Sequence, residues 1–177
     1  MKAAPDGGAA IAQALTTGTA SAVSDGSYDD SRQAGSSAFI IAPNKEKSTV
    51  CLEGANFVTG LPEEQSSYRS ELAGVLDVLT CVEALVKFYK IQNGLITIAL
   101  DGESAIYQSD SEWSLSIGQS SFDYIQVIRN IIKDFPITVK FHWVEGHQNE
   151  KGMTMDWGAQ KNDYADGKAK GFLQRCL

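Results

Sequence analysis

No stretch of the chain is apolar for the ~20 residues that a membrane-spanning helix needs, so no membrane partner is expected. Cysteine is scarce. Cys51, Cys81 and Cys176 are odd in number and far apart, which excludes both a disulfide framework and a cysteine-pair metal site. Such thiols suit a reducing, intracellular setting, cytoplasmic or nuclear, with Cys51 and Cys81 expected as small buried hydrophobes. Secretion is not expected, because Asp6, Gly7 and Gly8 interrupt any signal-peptide core after Lys2. Histidine occurs only at His142, which alternates along a strand and reads as structural, and at His147. Excess positive charge is absent as well. The net charge is −7, which by itself argues against a nucleic-acid partner. The charge is uneven, however: residues 1–86 carry −6 and residues 87–177 only −1, while the segment 159–177 is +2. Carboxylates gathered to bind cations would lose their charge on binding them.

What is present is a soluble-type chain of 177 residues, 43% hydrophobic and 21% charged, long enough for one domain with its own core. Residues 1–19, rich in Ala, Gly and Thr, read as a linker-like or flexible N-terminal segment with at most a short helix around Ala10–Leu15. Residues 20–177 form the domain. Strand-like runs cover 20–28, 35–42 and 48–58, with "PNKEK" as the turn between the last two. Leu72, Val75, Leu76, Leu79, Val82, Val86 and Tyr89 recur at helical spacing after Ser66 or Ser67, either of which can cap a long helix. An apolar strand then runs into Asp101, a short helix covers 102–109, and "SDSEWSLSIGQSS" is a polar loop. A helix over 122–135 stops before Pro136, "ITVKFHWVEGH" is a fifth strand, and the last helix spans about 160–174. Helical crossovers make strands one, four and five parallel, and a hairpin return makes strand two antiparallel. The fold class is α/β, a mixed five-stranded sheet flanked by helices.

Two strands that should be parallel neighbours end alike, in "AVSDG" and "IALDG". One Asp-Gly is an ordinary turn. Two at the carboxyl ends of adjacent strands fall where α/β sheets bind ligands, and carboxylates that close repel unless a proton or cation lies between them. Glu71, early in the long helix and beside Leu72, is a third acid; there it also suits the helix dipole. Asp166, in "NDYADGKAKG", shares a helical face with Asn162 and Ala169 and is a fourth; a solvated helix face would hold it equally well.

In chain order the motifs D-G-S, S-x-R-x-E-L-A, L-D-G, W-V-x-G-H and N-x-x-A-D-x-x-A resemble the ribonuclease H family over roughly residues 20–172. The stretch 143–166 is most similar to ribonuclease H domains of retroelement reverse transcriptases. The resemblance implies strand order 3-2-1-4-5 and an endonuclease that hydrolyses the RNA strand of RNA–DNA hybrids with two Mg²⁺ ions, for which Mn²⁺ can substitute. Asp25, Glu71, Asp101 and Asp166 would be the metal ligands, with His147 as a mobile histidine that moves a proton or releases product. Hard oxygen ligands suit Mg²⁺. Gly26, Ser27, Ser67 and Asn162 would touch substrate, and a tethered polymerase domain would be a partner. The sequence departs from the family pattern in four places. Eighteen residues separate His147 from Asp166, the 109–121 loop is acidic where some relatives carry a basic protrusion, Ser67 stands where many have asparagine, and Glu103 stands where several have glutamine or a basic residue. A non-catalytic nucleic-acid-binding module is the alternative reading. An integrase or transposase core on the same fold fits the last helix and the Gly-His loop less well.

Overall fold

The computed structural model describes residues 6, 8–44, 52–146 and 156–176. Their sheet is five-stranded and mixed. It comprises β1 (Ala20–Asp29), β2 (Ala34–Ala42), β3 (Leu52–Phe57), β4 (Leu95–Leu100) and β5 (Thr138–Trp143), in the order β3-β2-β1-β4-β5. β2 is antiparallel to β1 and β3, and β4 is parallel to β1 and β5, as the connections require. The helices are α1 (Ala9–Thr17), α2 (Ser67–Tyr89), α3 (Glu103–Asp110), α4 (Phe122–Asp134) and α5 (Trp157–Cys176), and a single 3₁₀ turn covers Pro62–Glu64.

Strand periodicity divides the side chains between two faces. Ala22, Phe39, Ile41, Ile96 and Ile98 enter the main core beneath α2 and α4, with Leu72, Val75, Leu79, Ile125 and Ile128. On the opposite face Ala38 meets Ala165 and Ala169 of α5. Small residues at that contact let the helix lie close, and Ser36 Oγ donates 2.9 Å to the Ala169 carbonyl.

Helix α1 contains the short helix expected around Ala10–Leu15, but residues 9–17 are not linker-like. Ile11 and Leu15 are fully buried in the main core, and the helix stops at Gly18 in the left-handed conformation. Gly94, at the head of β4, lies against the Leu15 carbonyl so closely that no Cβ would fit. Residues 9–17 are therefore packed structure.

Boundaries also moved, for local reasons. Ser66 is the cap of α2, accepting from Arg69 N at 3.1 Å. α5 begins three residues earlier than its apolar spacing predicts, because Asp156 Oδ1 accepts from Ala159 N at 2.8 Å. β5 ends at Trp143 because its one partner, β4, ends opposite at Leu100. Cys81 is half-buried and free, Cys176 is exposed and free, and Cys51 lies outside the described residues.

Candidate active site

The register brings the two Asp-Gly turns together. The last parallel pair of β1 and β4 is Val23 with Ala99, so Asp25 and Asp101 each stand two residues beyond it, at the same end of the sheet. Asp25 pairs with Ala38 on β2 and so shares the face that α5 covers. It is 7% exposed, and its Oδ1 accepts from Gly26 N at 2.7 Å.

Glu71 arrives from the other layer. Gly26 lets α2 rest directly on β1, since a Cβ there would strike the Ser70 carbonyl carbon and the Glu71 nitrogen. The Glu71 carboxylate then lies over Gly102, where a Cβ would strike Oε2, next to Asp101. Gly146 likewise backs onto Asp101 Oδ2, and Trp143 Nε1 donates to the Asp101 carbonyl at 3.1 Å. α5 supplies Asp166, whose Oδ2 lies 2.7 Å from Lys170 Nζ.

The electrostatics show that the four acids share one neighbourhood. Burial pushes the Asp25 carboxyl up to about 8, helped by the negative charges of Asp101, Asp166 and Glu71 and opposed by its bond from Gly26 N. Burial and then Asp101 raise Glu71 to about 7. Among the described residues no cation lowers Asp25 in return, which is the condition a bound cation would relieve. The donor set is hard oxygen throughout, and Gly102 and Gly146 leave room for carboxylates against backbone. Asp25, Glu71, Asp101 and Asp166 fit divalent cations in chemistry and convergence. As the side chains stand, no group of three or more His, Cys, Asp or Glu among the described residues is arranged to hold one ion.

The remaining sequence candidates divide. Ser67 is exposed at the mouth of a groove of about 860 Å³ that also reaches Glu71, Asp101, Glu103 and Tyr107. Ser27 is buried, and Gly26 serves the approach of α2. Asn162 is 1% exposed, with its Oδ1 unpartnered among the described residues, so it belongs to the α5–sheet contact rather than to an open surface. His147 lies outside the described residues.

Sequence reasoning missed two features. Tyr68 and Tyr107 line the groove, which among the described residues has no Lys or Arg in its lining; an i, i+4 spacing from Glu103 to Tyr107 on α3 was the available signal. The arginine of the S-x-R-x-E motif is structural. Arg69 is 3% exposed, forks onto Asp123 at 2.8 and 2.6 Å, donates to the Thr59 carbonyl at 2.9 Å and stacks 4.4 Å over the Tyr124 ring. It ties the first turn of α2, and with it Glu71, to α4.

Strand order, direction and crossovers decide the architecture. The fold is that of ribonuclease H. A ribonuclease H1 named LC11, isolated from compost by a metagenomic approach, matches with a TM-score of 0.64 at 13% identity, over 90% of this chain and 99% of that one. Its complex with an RNA/DNA hybrid matches at 0.60 and 14%, over 84% and 92%. Ribonuclease H1 from the halophilic archaeon Halobacterium salinarum matches at 0.61 and 12%, over 90% and 100%. The protease–reverse transcriptase of prototype foamy virus matches at 0.58 and 15%, over 89% of this chain and 21% of that one. No family model matches the sequence, and no curated protein is detectably similar to it.

Proposed function

We propose that this chain is a metal-dependent endonuclease that hydrolyses the RNA strand of RNA–DNA hybrids, leaving 3′-hydroxyl and 5′-phosphate ends. The observation that carries the reading is the convergence of Asp25, Glu71, Asp101 and Asp166 from three layers of a ribonuclease H fold, with Asp25 nearly buried and repelled by the other three. These four would hold two Mg²⁺ ions, or Mn²⁺ in their place. Such ions, when bound, supply an activated water and charge stabilisation for the leaving oxygen.

The chain's own contributions follow from placement. The groove gives a strand access to Glu71 and Asp101 at one end of the sheet. Ser67, exposed at its edge, offers a hydroxyl to a ribose 2′-hydroxyl, the group that distinguishes RNA from DNA. Gly26 and the Arg69 clamp fix the Glu71 backbone, so that its carboxylate is placed before substrate arrives. His147 is assigned the proton movement at product release.

The hybrid in the LC11 complex supports this substrate class, and the match to a segment of a reverse transcriptase supports a tethered polymerase domain as partner. Such tethering would raise the effective concentration of hybrid at a groove whose described lining residues include no lysine or arginine. A second reading, a non-catalytic nucleic-acid-binding or support module, is favoured by one observation: no three of the described acids are arranged to hold an ion as they stand.

Cleavage of an end-labelled hybrid in Mg²⁺ at low salt, with duplex RNA and duplex DNA as controls, separates the two. RNA-strand cleavage that disappears in Asp101→Asn supports the nuclease. Intact hybrid in both Mg²⁺ and Mn²⁺ with folded protein would leave the binding module.

A further inference from the structure

Helix α5 brings a cation of its own to the carboxylates. Lys170 follows Asp166 by one helical turn, and its Nζ stands 2.7 Å from Oδ2. The backbone carrying both is fixed to the sheet, with Ala165 and Ala169 on Ala38 and the Ala169 carbonyl held by Ser36. Neighbouring Lys168 is turned to the sheet instead, 3.1 Å from Glu53. Lys170 is half-exposed, so its side chain can swing, but the docked helix keeps its backbone one turn from that of Asp166.

We propose that Lys170 is a positioning residue that competes with a divalent cation for Asp166. It holds Asp166 Oδ2 in an ion pair that an incoming cation must displace, and so weakens the binding of that ion. The inference rests on reading the four carboxylates as a cation site. It has two consequences of opposite sign. Without a divalent cation, the ammonium neutralises part of the cluster and stabilises the fold. With one, the same charge remains within a few ångströms and opposes it. An ion pair this exposed alters an equilibrium by about two- to fivefold, and a merely structural lysine would produce the first consequence without the second.

The test is a Mn²⁺ titration of the whole chain, with free Mn²⁺ followed by electron paramagnetic resonance, on wild type, Lys170→Met and Lys170→Arg. Thermal melts in EDTA run in parallel. Lys170→Met is expected to bind Mn²⁺ about two- to fivefold more tightly than wild type while melting at a lower temperature in EDTA. Lys170→Arg, which keeps the charge, should match wild type in both. Unchanged or weaker Mn²⁺ binding by folded Lys170→Met overturns the role, as does an arginine variant that behaves like the methionine one. Wild type that binds no Mn²⁺ removes the cation site itself, and the lysine's role with it; the wild-type curve alone distinguishes that result.

Discussion

Asp25 is held where its charge is unwelcome, and that has a sign. Its pKa of about 8 lies above the ordinary 3.8, so the folded state prefers the protonated carboxyl. The stabilisation is complete below about pH 4 and is lost as pH rises through 8. Glu71, raised to about 7, acts in the same direction over a narrower range. In EDTA, the melting temperature of wild type should fall between pH 5 and 8.5. Asp25→Asn should melt higher at pH 8 and follow a flatter profile; a variant as pH-sensitive as wild type would remove Asp25 as the cause. Under the nuclease reading, the same substitution lowers hybrid cleavage by more than about 100-fold, because even partners outside a metal's own ligands cost 10–100-fold. At residue scale, much was visible in advance. The Asp-Gly ends of two parallel strands needed only the period of a strand and the crossover rule. Lys170 and Arg69 were not visible as partners, because an ion pair depends on rotamers and on which helix face docks.

Among the elements, the N-terminal helix and the first turn of α2 matter most. α1 was hard to read because nine residues give few periods of a helical pattern, and Ala and Thr dilute it. Its flanking glycines, Gly8 and Gly18, lie against Leu85 and Leu95, neighbours that sequence spacing cannot show. Leu15→Ala, deleting a fully buried side chain, should cost about 3 kcal/mol, read as a drop in urea midpoint with unchanged slope. A cost near zero would return residues 9–17 to the status of a tail. Arg69→Met tests the clamp. Loss of three charge-assisted bonds around a buried guanidinium should cost about 2 kcal/mol, and Arg69→Lys should recover little because lysine cannot fork. Cleavage is expected to fall further than stability accounts for, since Glu71 is displaced with its helix. Activity falling only in step with the unfolded fraction would make Arg69 a stabiliser alone.

For the molecule as a whole, charge and architecture pull apart. The mixed five-stranded sheet was legible from the order of strands and helices and its strand order from the motif resemblance, whereas the groove, made by three segments that meet only in the fold, was not. With −7 overall and no Lys or Arg among the described lining residues, the isolated domain should bind hybrid weakly. Fusion to a basic nucleic-acid-binding module should lower the Kd by at least about 100-fold, measured by anisotropy with Asp101→Asn to prevent cleavage. Equal affinity with and without the module would mean that the groove itself grips the strand.

The contact between Ser36 and Ala169 joins residues 133 apart in the chain. Protein synthesis runs from the N-terminus, and domains acquire structure as they emerge. Asp25, Glu71 and Asp101 are all made well before the helix that carries Asp166, and α5 cannot dock until its own turns have left the ribosome. A chain made only as far as Asp101 therefore holds three of the four acids, with the fourth still 65 residues away. If those acids are the working site, the protein is inert toward hybrid until α5 has been made, and that helix is what arms it.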